Sequence, residues 1–249
     1  MPSSTIVGSR VVALEAVMPK KSPSQEQAAS TLPLADQAYA EIRRRILDGE
    51  YPAGTPLSEY QLSADLQYSR TPIREALRRI VASGLGTLIT NRGVFVAELS
   101  AQDIAEVYHL RELLECYAIR LAASHISDAE IAALKAEQVR AEEFMRKGKD
   151  RDAYDMAVAM HDRIQAVANN SRLTRFLDAL SDQSHRLGLI TLRHKGQLEL
   201  ALSEHRRILE ALEKRDPDLA EKRMREHLAR DYETAMAAAL PAGSRRRAA

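Results

Sequence analysis

Tryptophan is absent from the 249 residues, cysteine occurs once, and aromatic side chains make up only 4% of the chain. The lone Cys116 excludes an intrachain disulfide framework and a cysteine-built zinc finger, and it leaves no ligand set for an iron–sulfur cluster. Few aromatics beside abundant Ala, Leu, Arg and Glu disfavour β-sandwiches and favour helices. No run approaches the ~18 consecutive apolar residues of a membrane helix. No basic start leads into an apolar core with a small-residue cleavage site, so a cytoplasmic chain without a membrane partner is expected. An excess of either charge is also missing. The 36 Lys and Arg nearly balance 35 Asp and Glu, and the resulting +1 argues neither for nor against nucleic acid as a partner.

What is present is more directive. With 45% hydrophobic and 29% charged residues the chain can bury a core and keep a solvated surface, and its length suits two domains. Basicity is concentrated: residues 70–92 hold five Arg against the single Glu75, whereas residues 99–240 hold 22 basic and 25 acidic side chains.

Residues 1–33 show no sustained period, and the broken polar stretch from Pro19 to Ser24 suggests a flexible arm. From Leu34, apolar residues at Ala38, Ile42 and Ile46 predict an amphipathic helix over 34–48 that ends at Gly49. After a turn at Tyr51–Pro56, Ser58 can cap a short second helix carrying Leu62 and Leu66. Thr71 followed by Pro72 predicts the start of a third, with Ile73, Ala76, Leu77 and Ile80 buried and its end near Ala82. Two short strands, near 87–90 and 94–97, flank Asn91-Arg92-Gly93, a sequence suited to a hairpin turn. Three helices and a hairpin, the third helix the most basic, form the plan of a winged helix-turn-helix domain over 34–98. From Ser100 the pattern is wholly helical. Six segments near 101–124, 128–147, 150–169, 172–194, 199–214 and 217–239 predict an antiparallel bundle over 99–240, followed by a disordered tail at 241–249. The expected class is therefore mainly α.

The decapeptide Tyr68-Ser-Arg-Thr-Pro-Ile-Arg-Glu-Ala-Leu77 closely resembles the recognition-helix motif of GntR-type bacterial transcription regulators. The stretches from Ile46 to Leu57 and from Asn91 to Val96 are similar to the same family's first-helix exit and wing. The helical remainder resembles the effector domain of the FadR subfamily through Arg111-Glu-Leu-Leu-Glu115, Met160-His161, Glu204-His205-Arg-Arg-Ile-Leu209 and His227-Leu228. The resemblance implies a ligand-responsive DNA-binding regulator, more often a repressor than an activator, and no enzyme.

A helix whose first turn exposes Arg70, Thr71 and Arg74 can enter the major groove, where a guanidinium fork matches guanine O6 and N7. Arg70 and Arg74 are the expected sequence readers. Ser69 and Thr71 would fix register on the backbone, and Asn91, Arg92 and Gly93 at the wing tip would approach the adjacent minor groove or its phosphates. Arg78 and Arg79 are weaker candidates, and Arg43-Arg44-Arg45 reads equally well as a solvated face. Some relatives carry a basic residue at the position of Tyr60, which this chain does not. A head that reads few base pairs gains affinity by pairing, so a homodimer on a near-palindromic DNA operator is expected.

In the bundle, His161, His205 and His227 each fall within the apolar stripe of a different helix. The resemblance implies that they hold a divalent metal, zinc, nickel or manganese, all of which suit imidazole. The carboxylate that relatives carry four residues before the first His is replaced by Ala157, and Asp155 points elsewhere on the helix. Either three His hold the metal, with water or an effector carboxylate completing it, or the pocket has abandoned metal. Arg111 resembles the position from which relatives direct a guanidinium at a small carboxylate effector. It reads also as half of an Arg111–Glu115 surface pair. A three-His hydrolase and a ligand-free architectural DNA binder are the competing functions; the first lacks a general-base motif, and the second is kept open by Ala157.

Overall fold

The computed structural model describes residues 32–239, so the arm predicted for 1–33, apart from Leu32 and Pro33, and the tail predicted for 241–249 lie outside the described residues. The described chain begins with α1 (Leu34–Leu47), α2 (Glu59–Leu66), α3 (Arg70–Ala82), β1 (Gly86–Ile89) and β2 (Gly93–Val96). The predicted stripe of α1 packs inward: Ala38, Ile42 and Ile46 meet Ile73, Ala76, Leu77 and Ile80 of α3, and Leu57, Leu62, Leu85 and Val96 complete one core. Ser58 caps α2 by accepting from the Gln61 amide.

In the head, the starts of α3 and of the two strands differ from expectation, and in the bundle α7 ends at Thr191 and α8 starts at Gln197 where 194 and 199 were expected. Helix α3 starts at Arg70 with Ser69 as its N-cap, so Thr71 lies inside the first turn and Pro72 is the third helical residue rather than the first. An α-helix leaves its first few N–H groups without intrahelical partners, so Pro is tolerated there as well as at the first position. The strands each begin one residue earlier than predicted, pairing antiparallel from Gly86 with Val96 to Ile89 with Gly93. The turn between them needs left-handed backbone, taken by Asn91 at φ 62° and Gly93 at φ 93°.

The second part comprises α4 (Ala101–His125), α5 (Asp128–Arg146), α6 (Asp150–Val167), α7 (Ser171–Thr191), α8 (Gln197–Glu213) and α9 (Pro217–Ala239). Capping boxes set two starts, Ser100 with Asp103 for α4 and Ser127 with Glu130 for α5. Helix α4 lies along α9, and α5 packs on α6 and α8. Their shared core includes Cys116, Ile119, Leu134, Ile164, Ile208, Leu212, Met224 and Leu228. Burial pushes the Cys116 thiol up to about 12, so it serves as a packed apolar group and not a thiolate. Among the described residues no helix is long and apolar enough to cross a membrane.

Helix α7 joins the two parts. Buried Asp182 accepts from the Tyr39 hydroxyl at 2.6 Å and is ion-paired with Arg43, both on α1. Gln183 donates to the Ser83 carbonyl at 3.4 Å, and Leu189 packs against the head core.

Candidate metal and effector site and the exposed face of the head

His161 projects from α6, His205 from α8 and His227 from α9, and their ligating nitrogens converge. The Nε2 of His161 lies 3.2 Å from that of His205, which lies 3.3 Å from that of His227. Two carboxylates set the tautomers. Glu115 Oε2 is 2.6 Å from His161 Nδ1, and Glu204 Oε2 is 3.0 Å from His227 Nδ1. A carboxylate facing Nδ1 holds the imidazole proton on that nitrogen and leaves Nε2 as a bare lone pair. The Nδ1 of buried His205 finds no partner among the described residues, so this ring supplies at most one shared proton for both contacts.

Three lone-pair nitrogens within hydrogen-bonding distance, with at most one proton between them, suit a cation. Ligands bonded at about 2.0–2.1 Å to one ion sit roughly 3.0–3.4 Å apart, which the observed spacing matches. Burial, reinforced by the neighbouring His227 and His161, holds the His205 pKa well below its ordinary value and keeps that ring in the neutral, ligating form. Burial acts the same way on His227, but Asp231 and then Glu204 outweigh it and raise its pKa. The three His therefore fit a divalent metal.

Behind this cluster the pair Arg111–Glu115 is not on the surface. Arg111 Nε donates to Glu115 Oε1 at 2.7 Å, with side chains only 10% and 6% exposed. The surface-pair reading is corrected: the stripe of α4 that carries these residues faces the bundle interior. Burial opposes the Glu115 charge, yet Arg111 and then His161 outweigh it and hold the carboxyl well below its usual range.

A cavity of about 110 Å³ opens onto the His cluster and reaches Arg111, Tyr154, Ala157 and Gly188. Ala157 is buried in its wall, so the position that carries a carboxylate in the family's pattern offers none here. Asp155 is exposed and accepts from Arg151, away from the cavity. Tyr154 donates to the His185 carbonyl at 3.1 Å and packs so close to α7 that a side chain at Gly188 would collide with its hydroxyl.

Sequence reasoning names the three His and Arg111 but misses Glu204, Asp231, Tyr154 and His185. Two signals were available. Asp231 stands four residues after His227, hence on the same helix face, and Glu204 adjoins His205. The reach of Glu204 to His227 across two helices has no sequence signature.

At the other end, Ser69, Arg70, Thr71, Arg74, Asn91, Arg92 and Gly93 are all exposed. The Arg74 fork is occupied: Nε and one terminal nitrogen donate to the two Glu59 oxygens at 2.9 and 2.8 Å. Arg70 lies over exposed Tyr60 at 5.7 Å, and Arg92 over Phe95 at 5.3 Å. Arg79 is partly exposed, paired with Asp36 and stacked on Tyr39.

Comparison with known proteins agrees with this architecture. Residues 34–96 match the profile of bacterial regulatory proteins of the gntR family, and residues 106–230 match the FCD domain. A probable D-xylose utilization operon transcriptional repressor of Paenarthrobacter nicotinovorans is 33% identical over 79% of this chain and 86% of its own length. The HTH-type transcriptional repressor RspR of Escherichia coli K12 is 28% identical over 80% and 87% respectively. The solved structure of E. coli McbR/YncC has the same fold, with a TM-score of 0.71 at 19% identity, covering 82% of this chain and 97% of that one. The chain belongs to the GntR family of bacterial transcription regulators, a DNA-binding winged helix-turn-helix head joined to an FCD domain.

Proposed function

We propose that this regulator is a repressor whose helical domain, residues 99–240, takes a divalent metal on His161, His205 and His227 and a small carboxylate effector beside it, with no catalytic role. The observation that carries this reading is the convergence of three Nε2 atoms in a cavity walled by α7, the helix that also grips the head. Four carboxylates, Glu115, Asp162, Asp178 and Asp231, line the cavity against the single guanidinium of Arg111. An anionic effector meets net repulsion there until a cation is added. The bound ion would supply a Lewis-acid anchor for the carboxylate, with Arg111 as second partner.

Elemental mass spectrometry on protein purified without chelators is the direct test. About one zinc, nickel or manganese per chain is expected, lost in His205→Ala combined with His227→Ala. Small carboxylates should then raise the Tm of loaded protein and leave stripped protein unchanged. Wild-type protein that takes up no metal would end the reading.

At the head, Arg70 and Arg74 are the proposed base readers, Ser69 and Thr71 the backbone contacts, and Asn91, Arg92 and Gly93 the wing contacts. Glu59 occupies the Arg74 fork with two parallel hydrogen bonds, so guanine would have to displace it. Replacing Arg74 by Ala should cost about 1–3 kcal/mol on a selected operator and much less on random duplex. Equal losses on both would make Arg74 a phosphate contact.

Pairing of two heads on a near-palindrome would use α4, where Leu110, Leu113 and Tyr117 are 47%, 68% and 51% exposed at helical spacing. Light scattering should give a dimer, and Leu113→Glu should dissociate it.

A further inference from the structure

Ala157 leaves the three-His centre without a carboxylate one turn before His161 on α6, and the surroundings hold a candidate replacement on another helix. Asp231 Oδ2 lies 3.7 Å from the Nε2 of His227, the nitrogen turned toward the other two rings. It is the companion of His227 one turn along α9, so the same face of one helix presents both groups to the centre. Its other oxygen is tied down: Oδ1 accepts from Gln197 Nε2 at 3.0 Å, and Gln197 is itself buried. The Asp231 side chain is only 15% exposed and lines the cavity.

Three other carboxylates have different work. Glu115 divides its oxygens between Arg111 and His161, and Glu204 divides its own between His227 and Arg230. Both act on Nδ1 atoms or cations behind the rings, not on the side where the Nε2 atoms meet. Asp155 is exposed and engaged with Arg151. Asp231 alone among these four directs an oxygen toward a convergent Nε2.

We infer that Asp231 is the carboxylate ligand of the centre, relocated from α6 to α9, giving a set of His161, His205, His227 and Asp231. A separation of 3.7 Å from His227 Nε2 is a few tenths of an ångström beyond the roughly 3.0–3.4 Å between two donors of one ion, and because Asp231 stands outside the group formed by the three His nitrogens, ligation requires its carboxylate to swing inward. The relocation has a consequence for the ligand. The place vacated at Ala157 becomes part of the cavity next to Val158 and Leu192, so the metal keeps an anionic ligand while the α6 wall gains room for the apolar part of a carboxylate effector. This rests on the three-His metal reading above.

The test measures Mn²⁺ and Zn²⁺ affinity of full-length protein by competition with a fluorescent chelator, for wild type, Asp231→Asn, His205→Ala, and Asp231→Asn combined with Ala157→Asp. Circular dichroism of each stripped variant reports folding. Asp231→Asn keeps the shape of the side chain and an oxygen for Gln197, and it should weaken metal binding by at least tenfold. Ala157→Asp in that background should restore most of it, which a role limited to holding Gln197 would not allow. Wild-type affinity in Asp231→Asn, with His205→Ala impaired, would overturn the Asp231 assignment and leave the three-His site standing. Metal-free wild type would overturn both, and a weakened Asp231→Asn that Ala157→Asp fails to restore would reduce Asp231 to a positioning residue.

Discussion

Replacing Glu115 by Gln is expected to destabilise the chelator-stripped protein by about 3–5 kcal/mol, the cost of leaving one member of a buried ion pair without its counter-charge. The substitution conserves shape and isolates charge. It leaves Arg111 in the interior, 9% exposed, and replaces the carboxylate that orients His161. For a chain of this size each kcal/mol moves the Tm by roughly 2–4 °C, so a fall of about 6–20 °C should be visible in thermal denaturation. The sign with pH follows from the depressed carboxyl. Its contribution is fully present above the unfolded value of 4.5 and is lost as the pH falls from there through the lower folded value. The variant lacks that contribution at every pH, so the gap between wild type and variant should narrow below pH 4.5. A gap that stays constant down to pH 3 would show that packing, not charge, explains the loss. Metal affinity should fall about 10–100-fold in the same variant, because Glu115 fixes the tautomer of a proposed ligand.

The head was legible because its signals are local. Apolar residues four apart in α1, Pro72 near the start of α3 and Asn91-Arg92-Gly93 at the hairpin each act over a few residues, and the errors they left were shifts of two residues at the start of α3 and of one at the strands. The bundle helices were legible for the same reason, from capping residues such as Ser100 and Ser127. The three His could be named from their apolar stripes, but what surrounds them could not. Glu115 reaches His161 across 46 positions and Glu204 reaches His227 across 23, on separate helices whose rotation the sequence does not display. The same reason hid the burial of Arg111–Glu115. An i,i+4 pair looks alike on a wet and a dry face, and only the packing of α4 against its neighbours decides which it is. Arg74 shows the converse, since its motif was plain but its partner Glu59 lies on α2, beyond a turn.

The second large effect is expected at Asp182, where coupling between effector and operator should be lost without loss of either binding site. Side chains recur on one helix face every three to four residues. On α7 this places Ser181, Ser184, His185, Gly188 and Thr191 along the cavity, while Asp182 and Gln183 turn to the head. A ligand that displaces the cavity face must therefore carry the Asp182 carboxylate with it, because a helix moves as a rigid element. Asp182 holds the Tyr39 hydroxyl at 2.6 Å and pairs with Arg43, so α1 follows. The remaining bonds across this boundary are weaker. Gln183 to Ser83 is long at 3.4 Å, and Arg151 to Asp48 at 3.0 Å is an exposed pair of small worth. Effector coupling of this kind is typically 1–3 kcal/mol, a 5–150-fold change in operator affinity. Asp182→Ala should reduce that response to less than about twofold, with metal content and carboxylate-induced stabilisation unchanged. Fluorescence anisotropy on a selected operator, with and without carboxylate, measures the first quantity, and thermal shift the second. Reciprocity supplies an independent check: in the variant, DNA should no longer alter carboxylate affinity. A variant that responds as wild type does would route the signal through the proposed dimer contacts of α4 instead. Asp182→Asn should lie between the two, since an amide can still accept from Tyr39 but no longer pairs with Arg43.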